Sequence, residues 1–186
     1  RALAAAAPAP RLASAIPPKR AGKRAAPKPR RTIFNATGSQ QLPGKVVRKE
    51  GAAASGDAAV DEAYDGLGAT FAFFLEACQR NSIDDAGLPL DATVHFGRKY
   101  DNAFWNGSRM VFGDGDGKLF NRFTVALDVI GHELTHGVTE REAALVYRGQ
   151  PGALNESLSD VFGSLVKQHA LQQEPADGCD AHARPE

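Results

Sequence analysis

In the stretch DVIGHELTHGVTE, residues 128–140, His132 and His136 stand four apart with Glu133 beside the first. On a helix that spacing points both imidazoles from nearly the same face, where their ring nitrogens can meet one cation. Zinc suits such a pair, because imidazole is one of its preferred ligands and its tetrahedral sites are small. Glu133 lies about 100° further round the helix. That is off the ligand face but beside a metal-bound water, where a carboxylate can take up a proton. The stretch thus offers two ligands and a base. The competing account is three polar residues that share a helix, and a third ligand would decide between them.

Such a ligand is available in GALNESLSDVFGSL, residues 152–165, which puts Glu156 twenty residues after His136. Glu156 and Asp160 are again four apart and open a strongly apolar helix, an awkward place for two acids without a cation or donor. The assignment that follows is Glu156 on the metal and Asp160 on the free nitrogen of a ligand histidine, fixing its tautomer. An acidic first turn that complements the helix dipole explains Glu156 but not Asp160.

The elements that must position these residues are visible in the pattern. Helices are expected over about 124–141 and 153–170, the second with an apolar stripe of Leu154, Leu158, Val161, Phe162, Leu165 and Val166. An earlier helix, about 58–79, has Asp57 as N-cap and Val60, Tyr64, Leu67, Phe71, Phe74 and Cys78 at its 3.6-residue period. Gly66 and Gly68 inside it suit close packing. Residues 31–51 read as short strands broken by Gly and Pro, the look of a small antiparallel sheet. Residues 92–97 and 108–113 alternate like two more strands. The carboxylate-rich DGDG, residues 114–117, is a turn rather than a calcium loop, since the remaining loop ligands are missing.

With 186 residues and 42% hydrophobic content, the chain has the composition of one globular domain. Its zero net charge conceals an asymmetry: residues 1–49 hold twelve Lys or Arg and no acid, and the rest holds ten against all 22 acids. An acidic body suits cation binding and argues against nucleic acid. The basic Ala- and Pro-rich head, residues 1–30, reads as a disordered linker or the end of a pro-region. Residues 172–186 form an irregular tail. Cys78 is expected in the core and Cys179 lies far from it, so no disulfide framework is implied. No apolar run reaches membrane-spanning length, and no signal peptide is visible.

GHELTHGVTE followed by GALNESLSD resembles the thermolysin-like zinc metalloendopeptidases, including their ligand spacing. YDNAFWNGSRMVFGDGDG, residues 100–117, is similar to that family's cleft-edge strand and following loop, and RRTIFNATGSQQLPG to its protealysin-like branch. The likeness covers residues 31–171. It implies His132, His136 and Glu156 as zinc ligands, Glu133 as general base and Asp160 behind a ligand. It implies that Tyr147 helps hold the oxyanion and that Asn102 and Ala103 bind substrate main chain. Phe120, Phe123 and Val129 would line a pocket for a bulky apolar residue after the scissile bond. Asp128 matches a calcium ligand, although Lys167 stands where another acid is expected. The implied fold is α+β: an antiparallel, sheet-rich N-terminal part, then two helices carrying the zinc. The implied partner is a peptide or protein, at neither a nucleic acid nor a membrane. Secretion is implied by the family at large, with a cytoplasmic location open for the protealysin-like branch.

Family members continue into a helical second lobe that completes the cleft, and this chain is expected to lack it. Part of the apolar stripe on the last helix would then be exposed, and His182, in the tail, is no substitute for the lobe's histidine. Two functions follow: a zinc endopeptidase, or a zinc-binding remnant without catalysis.

Overall fold

A computed structural model describes residues 26–173, so the basic arm up to residue 25 and the tail from 174, with Cys179 and His182, lie outside the described residues. Strands β1 (Arg31–Asn35) and β2 (Lys45–Lys49) form an antiparallel hairpin whose register shifts between Ile33 and Phe34. Helix α1 (Ala58–Cys78) follows, then β3 (Leu90–Val94), β4 (Ala103–Trp105) and β5 (Met110–Phe112). A 3-10 turn at Phe123–Val125 leads into α2 (Leu127–Ala143), and α3 spans Gly149–Gln173.

The five strands form one sheet in the order β2-β1-β3-β5-β4. It is mixed, which corrects the antiparallel expectation: β1–β3 and β3–β5 are parallel, while β1–β2 and β4–β5 are antiparallel. For β1–β3 the reason is α1, which carries the chain back to the end where β1 began, so β3 enters in the same direction, as a tight hairpin cannot do. For β3–β5 it is the intervening β4, which pairs with β5 antiparallel. The α+β class holds.

Helix α1 starts where Asp57 accepts hydrogen bonds from the N–H groups of Ala59 (3.0 Å) and Val60 (3.5 Å). It ends at Gln79, in the left-handed conformation, with its N–H bonded to the Phe74 carbonyl. Val60, Tyr64, Leu67, Phe71 and Phe74 are buried as their spacing predicts. Cys78, in the last turn of α1, is not: it is exposed. α1 packs on β1 and β3, and α2 packs on β4 and β5. Their shared core contains Ile33, Leu67, Leu90, Met110, Phe112, Ile130 and Leu134, all buried. Each contributes about 1.5–3 kcal/mol by leaving water.

α3 begins four residues earlier than its apolar stripe suggests, since Pro151 falls in the first turn, where no N–H is required. Its inner face is Gly152, Asn155, Ser159, Gly163 and Val166. Leu154, Val161 and Leu165 face outward and are 51%, 52% and 39% exposed. Phe162 is half-buried, stacking on Phe74 with ring centroids 5.7 Å apart.

Candidate metal centre

The two helices approach closely because glycines stand at the crossing. A Cβ added to Gly163 would lie 2.5 Å from the Asp128 carbonyl oxygen and 3.0 Å from the His132 nitrogen. Opposite it, a Cβ on Gly131 would come within 3.1 Å of the Gly163 Cα. This contact sets the histidines of α2 against the acids of α3. Gly137 does the same for the edge strand: with no side chain there, the Trp105 ring lies against α2.

His132 Nε2 and His136 Nε2 are 3.0 Å apart. Glu156 brings one carboxylate oxygen within 3.4 Å of the first and the other within 3.6 Å of the second. Ligand atoms about 2.0–2.1 Å from a tetrahedral zinc sit about 3.3–3.4 Å from one another, so the three spacings fit that ion. The far sides of the rings agree. His132 Nδ1 is 2.9 Å from Asp160 Oδ1. His136 Nδ1 is 2.7 Å from Asn155 Oδ1 and 3.1 Å from Ser159 Oγ. Acceptors there hold the protons on Nδ1 and turn both Nε2 lone pairs towards one point. Two lone pairs so close repel unless a cation lies between them.

Glu133 points into the cleft beside this group. Its Oε2 accepts a 3.2 Å hydrogen bond from the backbone N–H of Trp105 on β4. Burial pushes its carboxyl above the ordinary carboxylate range; the Trp105 N–H and the two imidazoles pull the other way without cancelling the effect. A carboxylate so placed is a better base than one in water.

The cleft has two lobes that share Asn102, Ala103, His132 and Glu133. The first, about 570 Å³, is also lined by Trp105, Asn106, Glu140, Leu145 and Tyr147. The second, about 460 Å³, is walled by Phe123, Val129, Asp160 and Ser164. Tyr147, on the connection between α2 and α3, is 66% exposed, and its ring centroid lies 5.8 Å from that of His136. Phe120 does not line the second lobe; it stacks on Phe123, 5.8 Å between centroids, and is half exposed. Asp128 Oδ2 lies 2.9 Å from Lys167 Nζ, so an ammonium group is its cation. The DGDG segment is a turn in which Asp116 accepts from the N–H groups of Lys118, Leu119 and Phe120.

Sequence reasoning missed Asn155, Ser159 and the Trp105 N–H. A signal for the first two was present. Gly152, Asn155, Ser159, Gly163 and Val166 form a small and polar stripe at helical spacing, opposite the leucines. The Trp105 contact had none, because a backbone donor carries no side-chain signature.

Residues 24–140 match the family described as thermolysin metallopeptidase, catalytic domain, and residues 143–181 match its alpha-helical domain. The chain is 66% identical over 143 residues to an extracellular metalloprotease of Pectobacterium carotovorum subsp. carotovorum, covering 77% of this chain and 41% of that protein. It is 49% identical over 117 residues to a thermolysin of Alicyclobacillus acidocaldarius subsp. acidocaldarius, covering 63% of this chain and 21% of the relative. Its structure is similar to that of a precursor of protealysin, a metalloproteinase from Serratia proteamaculans. There the TM-score is 0.78 and the identity 61%, over 83% of this chain and 48% of the other. The chain thus spans less than half the length of each of these relatives.

Proposed function

This chain belongs to the thermolysin metallopeptidase family, and we propose that it carries the zinc-binding, base-bearing part of an endopeptidase site that cuts before bulky apolar residues. The observation that carries the proposal is the convergence of His132, His136 and Glu156 at ligand spacing, with Glu133 beside them. When bound, zinc supplies Lewis acidity, lowering the pKa of water from about 15.7 towards 7 and polarising a peptide carbonyl.

The chain's own residues do the rest. Glu133 takes a proton from the attacking water and returns it to the leaving amine; the Trp105 N–H holds its carboxylate in line for both transfers. Asp160 and Asn155 keep the two imidazoles turned to the metal. β4 is the sheet's edge, so an extended peptide can add beside it, with Asn102 and Ala103 as its first contacts. Phe123 and Val129 give the second lobe its apolar wall, the basis for expecting a bulky apolar residue there. Tyr147 lines the first lobe near His136 and is the candidate hydroxyl donor to the oxyanion. Zinc is the only metal this reading needs, since Asp128 already has the Lys167 ammonium. One relative is named as extracellular, and we extend export to this chain on that likeness. No helix among the described residues is long and apolar enough to cross a membrane.

A second reading, zinc binding without turnover, is favoured by the exposure of Tyr147, since a freely solvated hydroxyl is a poor oxyanion donor. One experiment separates the two. The zinc-loaded chain is assayed on a quenched peptide with an apolar residue at its centre, with and without chelator. The enzyme reading expects chelator-sensitive cleavage that falls by more than about a hundredfold in Glu133→Gln, with zinc still bound. Tight zinc binding with no cleavage supports the second reading, and cleavage unchanged in Glu133→Gln overturns the first.

A further inference from the structure

The carboxylates of the cleft are not alike. Asp160 bonds His132, Asp128 pairs with Lys167, Glu133 accepts from Trp105, and Glu156 faces both histidines. Glu140, exposed and one helical turn after His136 on α2, also lines the first lobe, and among the described residues no side-chain hydrogen bond or ion pair holds it. Neither lobe contains a Lys or Arg among its lining residues, so nothing within the cleft neutralises it. The same lobe is lined by Trp105, Leu145 and Tyr147, apolar and aromatic surface in one cleft with that negative charge.

We propose that this lobe receives a cationic side chain, lysine or arginine, from the part of the substrate that precedes the scissile bond, and that Glu140 is its specificity-determining residue. The inference rests on the endopeptidase reading above. That reading gives the second lobe, across His132 and Glu133, to the apolar residue after the bond, and leaves the first lobe for residues before it. A long basic side chain has the matching form. Its methylene stem lies on apolar surface while its charged head reaches a carboxylate, and an aromatic face adds attraction for the cation. A glutamate side chain in the same place would meet Glu133, Glu140 and Glu156 together and be repelled. A neutral aliphatic one would bury its stem and leave Glu140 as it is.

The test measures binding apart from cleavage. Zinc-loaded Glu133→Gln is titrated with fluorescent peptides that share an apolar residue and differ only at the two positions before it, carrying lysine, norleucine or glutamate. Lysine peptides are expected to bind about three- to fivefold more tightly than norleucine ones, the range of a partly exposed ion pair. Glutamate peptides are expected to bind more weakly than either. Added salt should narrow the gaps. Glu140→Gln, placed on the same background, removes the lysine preference, and Glu140→Lys turns it into a glutamate preference. Zinc stoichiometry in each variant confirms that the site is intact. Equal binding of the three peptides, or a lysine preference that survives Glu140→Lys, overturns this inference and leaves the endopeptidase reading standing. Binding of none of them overturns both.

Discussion

Between the sheet and α1 the buried side chains are large: Ile33, Leu67, Leu90, Met110 and Phe112. Between α2 and α3, Val166 apart, the buried residues are small or polar: Gly131, Gly163, Asn155 and Ser159. The first region gains its stability from buried apolar area. The second buries little apolar surface and gains position instead: removing side chains brings two backbones together, and the metal group is spaced by that approach. A stable scaffold and an accurate site are therefore separable here, and substitutions should affect one without the other.

The largest expected effect tests the scaffold. Leu67→Ala should cost about 2–5 kcal/mol of stability in chemical denaturation, while the folded fraction binds zinc as before. A parallel loss of zinc affinity in folded protein would break the separation. Gly163→Ala is the converse. Its Cβ would meet backbone atoms of α2 that cannot move aside, so the helices must part, at about 1–3 kcal/mol. Zinc affinity, measured by chelator competition, should fall more than stability does.

Smaller effects sharpen the picture within the seam. The partner of His136 is buried Asn155, whereas that of His132 is Asp160, whose side chain is 77% exposed. Asn155→Leu should weaken zinc by about 10- to 100-fold, the usual cost of losing a hydrogen bond behind a ligand. Asp160→Asn should cost less than about tenfold, since the amide oxygen and water can both still accept from Nδ1. The opposite order would mean that charge, not burial, orients these rings.

The smallest effect lies at the margin of the sheet. His95 is held between Asp57, which caps α1, and Asp114, each 2.9 Å away. Burial alone would lower its pKa, but the hydrogen bonds and charges of the two carboxylates outweigh that and raise it. A raised value in the folded state means that the folded chain holds this proton more firmly than the unfolded one. The stabilisation is complete below the ordinary histidine value near 6.5 and is lost as pH rises through the folded value. Thermal melts from pH 6 upward should therefore show a decline that His95→Gln flattens. A decline of equal slope in the variant would assign it to other groups.

Much of the site was legible in sequence because helical spacing maps directly onto a helix face. His132, Glu133 and His136 could be placed from their spacing alone, and Asp57 could be named as a cap from its chemistry. Cys78 was misjudged because periodicity says which way a residue points but not whether another element covers it. The sheet was misjudged for a related reason. Local alternation marks strands, but parallel pairing is decided by where the intervening elements deliver the chain. The stripe of α3 behaved as expected in part: Leu154, Val161 and Leu165 are exposed. What its pattern did not show is that the small and polar face opposite is the one that meets α2.

By itself, then, the sequence determined which residues are candidate donors and base and the helices that bear them, since those depend on residue type and local periodicity. Tertiary structure decided how closely Glu156 approaches the two histidines, that Asn155 and Ser159 stand behind one of them, and that Trp105 donates a backbone N–H to Glu133. These are contacts between segments far apart in the chain. They depend on how closely two backbones approach, and no local pattern of side chains encodes that distance.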